Sequence, residues 1–325
     1  MTTRVVLIGH PVAHSFSGAM QQAAFDALGI DARYDLWDRR VIDLPDAINA
    51  LRGEEFLGAN VTIPHKEHVV PMMDRLTEEA QAIGAVNCIA CEGTKLIGHN
   101  TDVPGFRSAL DKLVGRQKMP RHAVVLGAGG ASRAIVYSLI AQGFQRIVVF
   151  NRHLHRGEAL VKHFARSAAH MELRAMPWHE SVLEAELSRT RVLINATSVG
   201  LTPGETPIPA ELLTGDLMVM DLIYNPSQTQ LLKDAAAAKL AAINGEQMLL
   251  TQGARSFELW TGQQAPVDAM AAELERAREE GLRQMPIDMG PQAENGSGGG
   301  AASGGAASGG AASGGAAAAG QAARS

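Results

Sequence analysis

The chain has 325 residues, 46% of them hydrophobic and 19% charged, a balance that indicates a globular protein with a sizeable core and excludes a disordered chain. Lys and Arg number 29 against 34 Asp and Glu, and this net charge of −5, without a block of like charge, argues against a nucleic-acid or anionic-membrane partner. The first apolar run, 5–8, is too short for a signal-peptide core, and no apolar stretch approaches the ~18 residues of a membrane span. We therefore expect a cytoplasmic protein without a membrane segment.

Short apolar strands alternate with amphipathic helices in the first part of the chain, which is typical of a parallel sheet covered by helices. The predicted helices span 19–28 and 103–113, and the predicted strands span 5–8, 32–37, 59–63, 86–90 and 96–99. The segment 115–120, which contains Gly and Pro, interrupts this pattern. We place a domain boundary there.

A second α/β series starts at His122 and has the character of a Rossmann-type unit. Its helices are predicted at 131–142 and 156–165, and its strands at 123–126, 146–150, 192–195 and 217–221. Two strong helical stretches follow, 247–260 and 266–283. We expect these last helices to return to the first domain, which would make that domain discontinuous.

The last 40 residues, 286–325, differ from the rest of the chain. They hold 12 of its 34 glycines and three copies of Ala-Ala-Ser-Gly-Gly. Such a composition buries too little apolar surface to offset the entropy lost on ordering, so we expect a disordered tail, either natural or added. The remaining 285 residues suffice for two domains of about 150 residues each.

Cys88 and Cys91 form a C-x-x-C pair, the spacing of a redox pair or of half a zinc site. No second Cys pair completes such a site, and His65 and His68 have H-x-x-H spacing without a third ligand. The sequence around the cysteines is typical of a strand, in which residues three apart point to opposite faces. We predict two unpaired buried thiols and no metal site.

Residues 122–134 have the pattern of a strand, a glycine turn and a helix start, which favours dinucleotide binding over a βα turn without a ligand. Gly127 permits the tight turn, Gly129 lets the backbone approach a pyrophosphate, and Ser132 takes the third, small position. The helix N-terminus then supplies amide N–H groups to the phosphates. The predicted contact residues are Gly127, Ala128, Gly129, Gly130 and Ala131.

The end of the second strand of this unit distinguishes between nicotinamide cofactors. An enzyme that selects NAD carries Asp or Glu there to bind the ribose 2′-hydroxyl, whereas this chain has Asn151, Arg152 and Arg156, with no acid before Glu158. Guanidinium groups bind a 2′-phosphate through charge-assisted hydrogen bonds, and a carboxylate would repel it. We predict NADP; the alternative is that both arginines are solvated surface charges.

Polar side chains also gather at predicted strand ends in the first domain. Asn60 and Thr62 alternate along one strand and therefore face the same side, and Lys66 follows them. The alternative for this segment is an edge strand with a solvated Lys. Further groups suited to a ligand rich in hydroxyls follow other predicted strands: Ser15, Ser17, Asn87 and Asp102.

A series of motifs then occurs in order along the chain, at 15–17, 60–66, 84–87, 100–102, 127–132, 151–152, 195–198, 221–226, 244–245 and 252–254. Together they resemble the shikimate dehydrogenase family from residue 5 to about residue 283, and only the tail is left out. Two positions depart from the family pattern: Gly18 replaces the usual Pro, and Cys88 stands where Thr is common. Because Gly18 adds loop freedom, we expect the segment that would hold a substrate carboxylate to be less restrained.

The resemblance implies NADP-dependent, reversible reduction of 3-dehydroshikimate to shikimate, a step of the shikimate pathway that leads to chorismate and the aromatic amino acids. It implies an α/β fold, with an N-terminal substrate domain (mixed, mainly parallel sheet), a C-terminal Rossmann-type NADP domain, and C-terminal helices that return to the first domain. The expected ranges are 1–114 with 246–285 for substrate, 115–245 for NADP, and 286–325 for the tail. The protein would be a monomer or a homodimer.

By carry-over, Lys66 and Asp102 form the catalytic pair. Hydride addition turns a ketone into a developing alkoxide, which needs a proton and a nearby positive charge; a Lys ammonium supplies both, and Asp102 can position it. The expected substrate contacts are Ser15, Ser17, Asn60, Thr62, Lys66, Asn87, Asp102, Tyr224 and Gln252. The nicotinamide side would add Thr197, Ser198, Leu222 and Gly245 to the cofactor contacts.

Three other functions compete with this one. A quinate or dual quinate/shikimate dehydrogenase would share the fold and often use NAD, although the serine and arginine pairs favour shikimate with NADP. Reductases of unusual ring substrates belong to the same class of alternatives. A ligand sensor without catalytic activity would be expected to have lost Lys66 or Asp102, and both are present. Only the low-complexity tail supports the third alternative, a scaffold that recruits partners.

Overall fold

Two six-stranded sheets organise the residues that the computed structural model describes, 2–284. The first sheet contains β1 (Thr3–Gly9), β2 (Ala32–Asp38), β3 (Phe56–Val61), β4 (Arg75–Leu76), β5 (Cys88–Glu92) and β6 (Lys95–His99). Four α-helices lie in the same part of the chain: α1 (Ser17–Ala27), α2 (Leu44–Ala50), α3 (Glu78–Ile83) and α4 (Asp102–Val114). The predicted disordered tail, 286–325, lies outside the described residues.

The second sheet contains β7 (His122–Leu126), β8 (Arg146–Asn151), β9 (Glu172–Pro177), β10 (Val192–Asn195), β11 (Met218–Asp221) and β12 (Ala241–Ile243). Its helices are α5 (Gly130–Ala141), α6 (Leu154–Phe164), α7 (Glu180–Leu187) and α8 (Gln230–Ala237). Two long helices end the described chain, α9 (Glu246–Thr261) and α10 (Val267–Gln284). None of the helices within residues 2–284 combines the length and the apolar character that a membrane crossing requires.

The first sheet is mixed, in the order β2-β1-β3-β5-β6-β4. β1 runs parallel to β2 and β3, and β4 runs parallel to β6, whereas β5 is antiparallel to both β3 and β6. The alternation of strands and helices by itself indicates parallel neighbours, whereas the mixed, mainly parallel sheet that the family resemblance implies is confirmed. The short β5–β6 connection explains the difference, because it contains Gly93 at φ 61° and reverses the chain without a crossover helix.

The second sheet is entirely parallel, in the order β9-β8-β7-β10-β11-β12. This is the strand order of a doubly wound Rossmann sheet. The strand order reverses between β7 and β10, and ligands bind such sheets in the crevice beyond the carboxyl ends of the strands at that point. The sequence did not predict β9, which is only partly buried, or β12, a strand of three residues with little bulk.

The last two helices pack on the first sheet, although the second sheet precedes them in the chain. Phe257, Trp260 and Met270 share one apolar core with Val5 and Leu7 of β1. The Trp260 indole N–H also donates to the Ile89 carbonyl over 2.9 Å. The predicted return of the C-terminal helices is therefore confirmed, and residues of α9 become available to the carboxyl ends of the first sheet.

The two cysteines occupy opposite faces of β5, as the three-residue spacing predicts. Cys88 is buried with Val5 and Leu7, and Cys91 packs against the core on the other face, where its thiol donates to the Leu51 carbonyl. Both thiols are free, but Cys91 is only partly buried, so the prediction of two buried thiols is wrong for that residue. Burial raises the pKa of Cys88 to about 12 and that of Cys91 to about 11.

These pKa shifts predict slow thiol labelling of the folded chain. Because the thiolate is the reactive form, a rise of the Cys91 pKa from 9.0 to about 11 leaves about 100-fold less thiolate at pH 8. We expect reaction with a disulfide reagent at pH 8 to be at least that much slower in the folded than in the denatured chain. A Cys91→Ser variant should be slower still, and equal rates in the folded and denatured states would contradict the assignment.

Candidate active site

Lys66 and Asp102 form a closely paired and largely buried ion pair. The Lys66 ammonium donates to Asp102 Oδ2 over 2.6 Å, and the two side chains are 14% and 4% exposed. Asp102 opens α4, where the helix dipole favours a negative charge, and its backbone N–H donates to Asn100 Oδ1. An ammonium has three N–H donors, so the contact with Asp102 leaves the others for a ligand.

Asn87 holds the carboxylate of this pair in one orientation. Its amide N–H donates to Asp102 Oδ1 over 2.9 Å and to Thr101 Oγ1 over 2.9 Å, while its oxygen accepts from the Thr101 backbone over 2.6 Å. Both oxygens of Asp102 are therefore bound, one by Lys66 and one by Asn87. The carboxylate cannot rotate without breaking one of these bonds.

A chain of buried hydrogen bonds supports Asn87 from behind. Tyr34 donates to Asn60 Oδ1 over 2.9 Å, and Asn60 Nδ2 donates to the Asn87 carbonyl and to Ser256 Oγ. Ser256 on α9 donates to the Gln252 carbonyl and lies 3.0 Å from Thr101 Oγ1. Asn60 thus lies behind Asn87 with both ends of its amide engaged, and its predicted contact with substrate stays a prediction.

Ser15, Ser17 and Tyr224 lie together near the start of α1. The hydroxyls of Ser15 and Tyr224 are 3.4 Å apart, and the Ser17 backbone N–H donates to Ser15 Oγ over 3.2 Å. The Phe16 ring packs on the Tyr224 ring at 5.6 Å between centroids. Burial raises the pKa of Tyr224, against the opposing effect of the Ser15 hydrogen bond, so this phenol stays neutral near pH 7.

Gln252 connects α9 to the buried network, and Thr62 contacts the end of β1. The Gln252 side-chain oxygen is 3.4 Å from Asn87 Nδ2, and its amide donates to the Leu249 carbonyl. Thr62 directly follows β3 and is half-buried. A Cβ on Gly9 would lie only 2.3 Å from the Thr62 methyl group, so the two residues are in direct contact. The sequence predicted both residues but not Ser256, Tyr34 or the role of Thr101, because no local pattern marks these contacts.

The glycine turn after β7 has the conformation that dinucleotide binding requires. Gly127 has φ 106°, and a Cβ there would approach the Ala196 carbonyl oxygen to 2.8 Å, so only glycine fits. A Cβ on Gly129 would meet no atom within 4 Å, which leaves open space beside its backbone. Ser132 is fully buried, and its hydroxyl has no hydrogen-bond partner within residues 2–284. These features fit a pyrophosphate at the start of α5; the other predicted turn residues are Ala128, Gly130 and Ala131.

The residues after β8 carry positive charge, as predicted. Arg152 is exposed, and Arg156 in α6 is half-exposed, with its guanidinium 3.5 Å from Glu67. Asn151 ends β8 and donates to the His153 carbonyl. Two guanidinium groups and one amide therefore lie near the carboxyl end of β8, where the ribose site is predicted.

The loops after β10 and β11 are joined by a buried carboxylate. Asp221 accepts from Thr229 Oγ1 over 2.7 Å and from Asn195 Nδ2 over 3.0 Å, and burial raises its pKa despite these bonds. Asn195 Oδ1 in turn accepts from Thr197 Oγ1 over 2.7 Å. The loop residues predicted for the nicotinamide side are therefore held at the crevice: Thr197, the exposed Ser198, and Leu222.

Gly245 allows the backbone that precedes α9 to touch the backbone of Leu222. A Cβ on Gly245 would lie 2.0 Å from the Leu222 carbonyl oxygen. A second glycine contact joins the two halves of the site, because a Cβ on Gly130 would lie 2.5 Å from Cβ of Lys66. The dinucleotide turn and the Lys66 segment are therefore in direct van der Waals contact. Within residues 2–284, no group of three or more His, Cys, Asp and Glu is arranged to hold a metal ion.

Three family models match the chain in order. "Shikimate dehydrogenase substrate binding domain" matches residues 7–89, "Shikimate / quinate 5-dehydrogenase" matches residues 110–201, and "Shikimate 5'-dehydrogenase C-terminal domain" matches residues 245–275. A curated shikimate dehydrogenase (NADP(+)) from Methanopyrus kandleri is 41% identical over 272 residues, covering 83% of this chain and 93% of the relative.

Three solved structures of enzymes named for different substrates also resemble this chain. The shikimate 5-dehydrogenase of Thermus thermophilus, in complex with NADP(H) and shikimate, is 39% identical with a TM-score of 0.74 over 85% of this chain and 99% of that one. A 5-ketofructose reductase of Gluconobacter is 35% identical (TM-score 0.72, coverage 85% and 99%). A quinate dehydrogenase from Corynebacterium glutamicum, in complex with NAD, is 30% identical (TM-score 0.75, coverage 85% and 99%). By its sequence and by its fold, this chain belongs to the shikimate dehydrogenase family.

Proposed function

We propose that the chain is an NADP-dependent oxidoreductase that interconverts 3-dehydroshikimate and shikimate, a step of aromatic amino acid biosynthesis. The observation that carries this proposal is that Lys66, which is paired with Asp102, also contacts Gly130 of the dinucleotide turn through the stem of its side chain. A proton donor beside a hydride carrier is what reduction of a ketone to an alcohol requires. The NADP-dependent shikimate dehydrogenases among its relatives support the choice of substrate and cofactor.

Lys66 acts as the general acid in the direction of reduction and as the general base in the direction of oxidation. NADP, when bound, supplies or accepts the hydride. As negative charge develops on the carbonyl oxygen, the Lys66 ammonium stabilises it and transfers a proton to it. Asp102 keeps the lysine nitrogen in place, and Asn87 keeps Asp102 in place. In oxidation the neutral Lys66 amine takes the proton of the alcohol.

The cofactor is held by the glycine turn and by the arginines after β8. The amides at the start of α5 bind the pyrophosphate, through the turn residues Gly127, Ala128, Gly129, Gly130 and Ala131. Asn151, Arg152 and Arg156 bind the ribose 2′-phosphate and select NADP. Thr197, Ser198, Leu222 and Gly245 border the nicotinamide.

The substrate is held on the first-sheet side of the site. Its hydroxyls and carboxylate contact the remaining residues of the site: Ser15, Ser17, Asn60, Thr62, Asn87, Tyr224 and Gln252. We assign residues 1–114 and 246–285 to this substrate domain and residues 115–245 to the NADP domain. The contacts of α9 and α10 with the first sheet support that division. The cytoplasmic location and the choice between monomer and homodimer stay predictions.

The proposed function is tested by initial rates with shikimate and quinate, each with NADP⁺ and NAD⁺. We expect shikimate with NADP⁺ to have the highest kcat/KM, because the arginines after β8 favour the 2′-phosphate. A higher kcat/KM for quinate or for NAD⁺ would contradict the pocket assignment while leaving the chemistry of Lys66 intact. No turnover in any of the four combinations would overturn the proposed activity.

Replacement of Lys66 tests the acid/base assignment. We expect Lys66→Ala to lower kcat by about 100-fold or more, as for the loss of a general acid/base group, while NADP⁺ affinity stays within about twofold. Lys112→Ala is the matched control, since Lys112 is an exposed lysine of α4 whose ammonium donates to Gln247 Oε1, on the surface and away from the ion pair. A near-normal kcat in the Lys66 variant would rule out the assignment.

Replacement of the arginines after β8 tests cofactor selection. Each charge-assisted hydrogen bond to a phosphate contributes enough that Arg152→Ala or Arg156→Ala should raise KM for NADP⁺ about 10-fold. KM for NAD⁺ should stay nearly constant, because NAD⁺ lacks the 2′-phosphate. The exposed Arg166, just beyond α6, provides the control variant Arg166→Ala. An equal increase of KM for NADP⁺ and for NAD⁺ would contradict a role of these arginines in 2′-phosphate binding.

A further inference from the structure

The residue after Lys66 contacts the helix that follows the dinucleotide turn. Glu67 accepts from Arg133 Nε through Oε2 over 2.8 Å. Arg133 lies in α5, three residues after Gly130, where that helix begins. The side chains of Glu67 and Arg133 are 30% and 14% exposed, so the pair is shielded from solvent far more than a surface ion pair and is correspondingly less screened.

A second guanidinium approaches the same carboxylate more weakly. Arg156 Nη2 of α6 is 3.5 Å from Glu67 Oε1, and its side chain is 52% exposed. The geometry therefore makes Arg133 the principal partner of Glu67. Arg156 is the more exposed of the two arginines and the one better placed to reach a ligand outside the protein.

Two consecutive residues of one segment thus contact the same helix. A Cβ on Gly130 would lie only 2.5 Å from Cβ of Lys66, so the stem of the lysine side chain is in contact with this glycine. Glu67 binds Arg133 one turn further along α5. A van der Waals contact resists approach but not separation, whereas the ion pair resists separation. Together they set the distance between the Lys66 segment and the start of α5 in both directions.

We propose that Glu67 is a positioning residue whose ion pair with Arg133 holds Lys66 in register with the dinucleotide turn during hydride transfer. This inference rests on the proposed function, because it concerns the alignment of the proton donor with the hydride carrier. A misplacement of about 1 Å between reacting groups costs up to about 100-fold in rate, so loss of one such restraint should be visible in kcat. Glu67 itself neither donates nor accepts a proton in the reaction.

The test is a double-mutant cycle of Glu67→Gln and Arg133→Met on kcat for shikimate oxidation. We expect Glu67→Gln to lose about 10-fold and the double variant to lose no more than Arg133→Met alone. Both single variants remove the ion pair, and Arg133→Met also removes the 3.4 Å hydrogen bond to the Ile83 carbonyl. KM for shikimate should change less than about twofold, because neither residue contacts the substrate. Glu67→Asp, which keeps the charge, should retain most of kcat and shows that the site still folds.

Three measurements separate this role from its competitors. The 10-fold loss in Glu67→Gln should be the same with NADP⁺ and NAD⁺; a loss with NADP⁺ alone would place the effect at Arg156 and overturn the proposal. Multiplicative losses of about 100-fold in the double variant would also overturn it. Asp74→Asn breaks another ion pair, 2.7 Å from Arg52, within the first half of the chain, and should leave kcat unchanged.

A measurement without ligands keeps the inference independent of the proposed function. In Glu67→Gln, amide hydrogen exchange at residues 63–67 and 129–134 should be about 10-fold faster than in the wild-type chain, with the rest of the described residues unchanged. The Asp74→Asn control should show no such change there. Unchanged exchange in Glu67→Gln would overturn the positioning role, whereas absence of shikimate turnover in the wild-type chain would overturn the proposed function alone.

Discussion

The buried ion pair of Lys66 and Asp102 is the constraint on which the rest of the site depends. Two charges removed from water are costly unless their remaining hydrogen-bonding capacity is used, and removal of one partner from such a pair costs about 3–5 kcal/mol. Here the second oxygen of Asp102 is bound by Asn87, and the carboxylate lies at the start of α4, where the helix dipole favours it. The charge of Lys66 is thereby kept in a shielded place, where, in the proposed reaction, it would act most strongly on a developing alkoxide.

The network that fixes this pair is assembled from distant parts of the chain. Tyr34 comes from β2, Asn60 from β3, and Ser256 from α9, which follows the whole second sheet. The site therefore forms only when the C-terminal helices have packed on the first sheet.

The dinucleotide turn and most strands could be predicted from local sequence, because their signals are local. The Gly127 turn, the guanidinium groups after β8 and the apolar strands of the second sheet depend on short-range steric and periodic patterns. The pairing of Lys66 with Asp102 instead depended on resemblance to a family, since 36 residues separate them and no periodicity connects them. In the structure the two side chains are hydrogen-bonded over 2.6 Å.

Other features could not have been predicted from local patterns. β5 runs antiparallel because of a tight hairpin, and the alternation of strands and helices alone favoured a parallel neighbour. Ser256 and Tyr34 are ordinary residues on amphipathic elements, and only tertiary packing makes them partners of Asn60. Glu67 looks like a solvated charge in the sequence, but its carboxylate is bound by arginines of two helices beside the second sheet.

The most direct test of the central claim is a structure of the ternary complex of this chain with shikimate and NADP⁺. The account predicts that Lys66 Nζ lies within hydrogen-bond distance, about 3.2 Å or less, of the hydroxyl that is oxidised, while still bonded to Asp102. It also predicts that the hydrogen bonds of Asn87 to Asp102 and Thr101 are retained. A complex in which another side chain contacts that hydroxyl, with Lys66 turned toward solvent, would contradict the account.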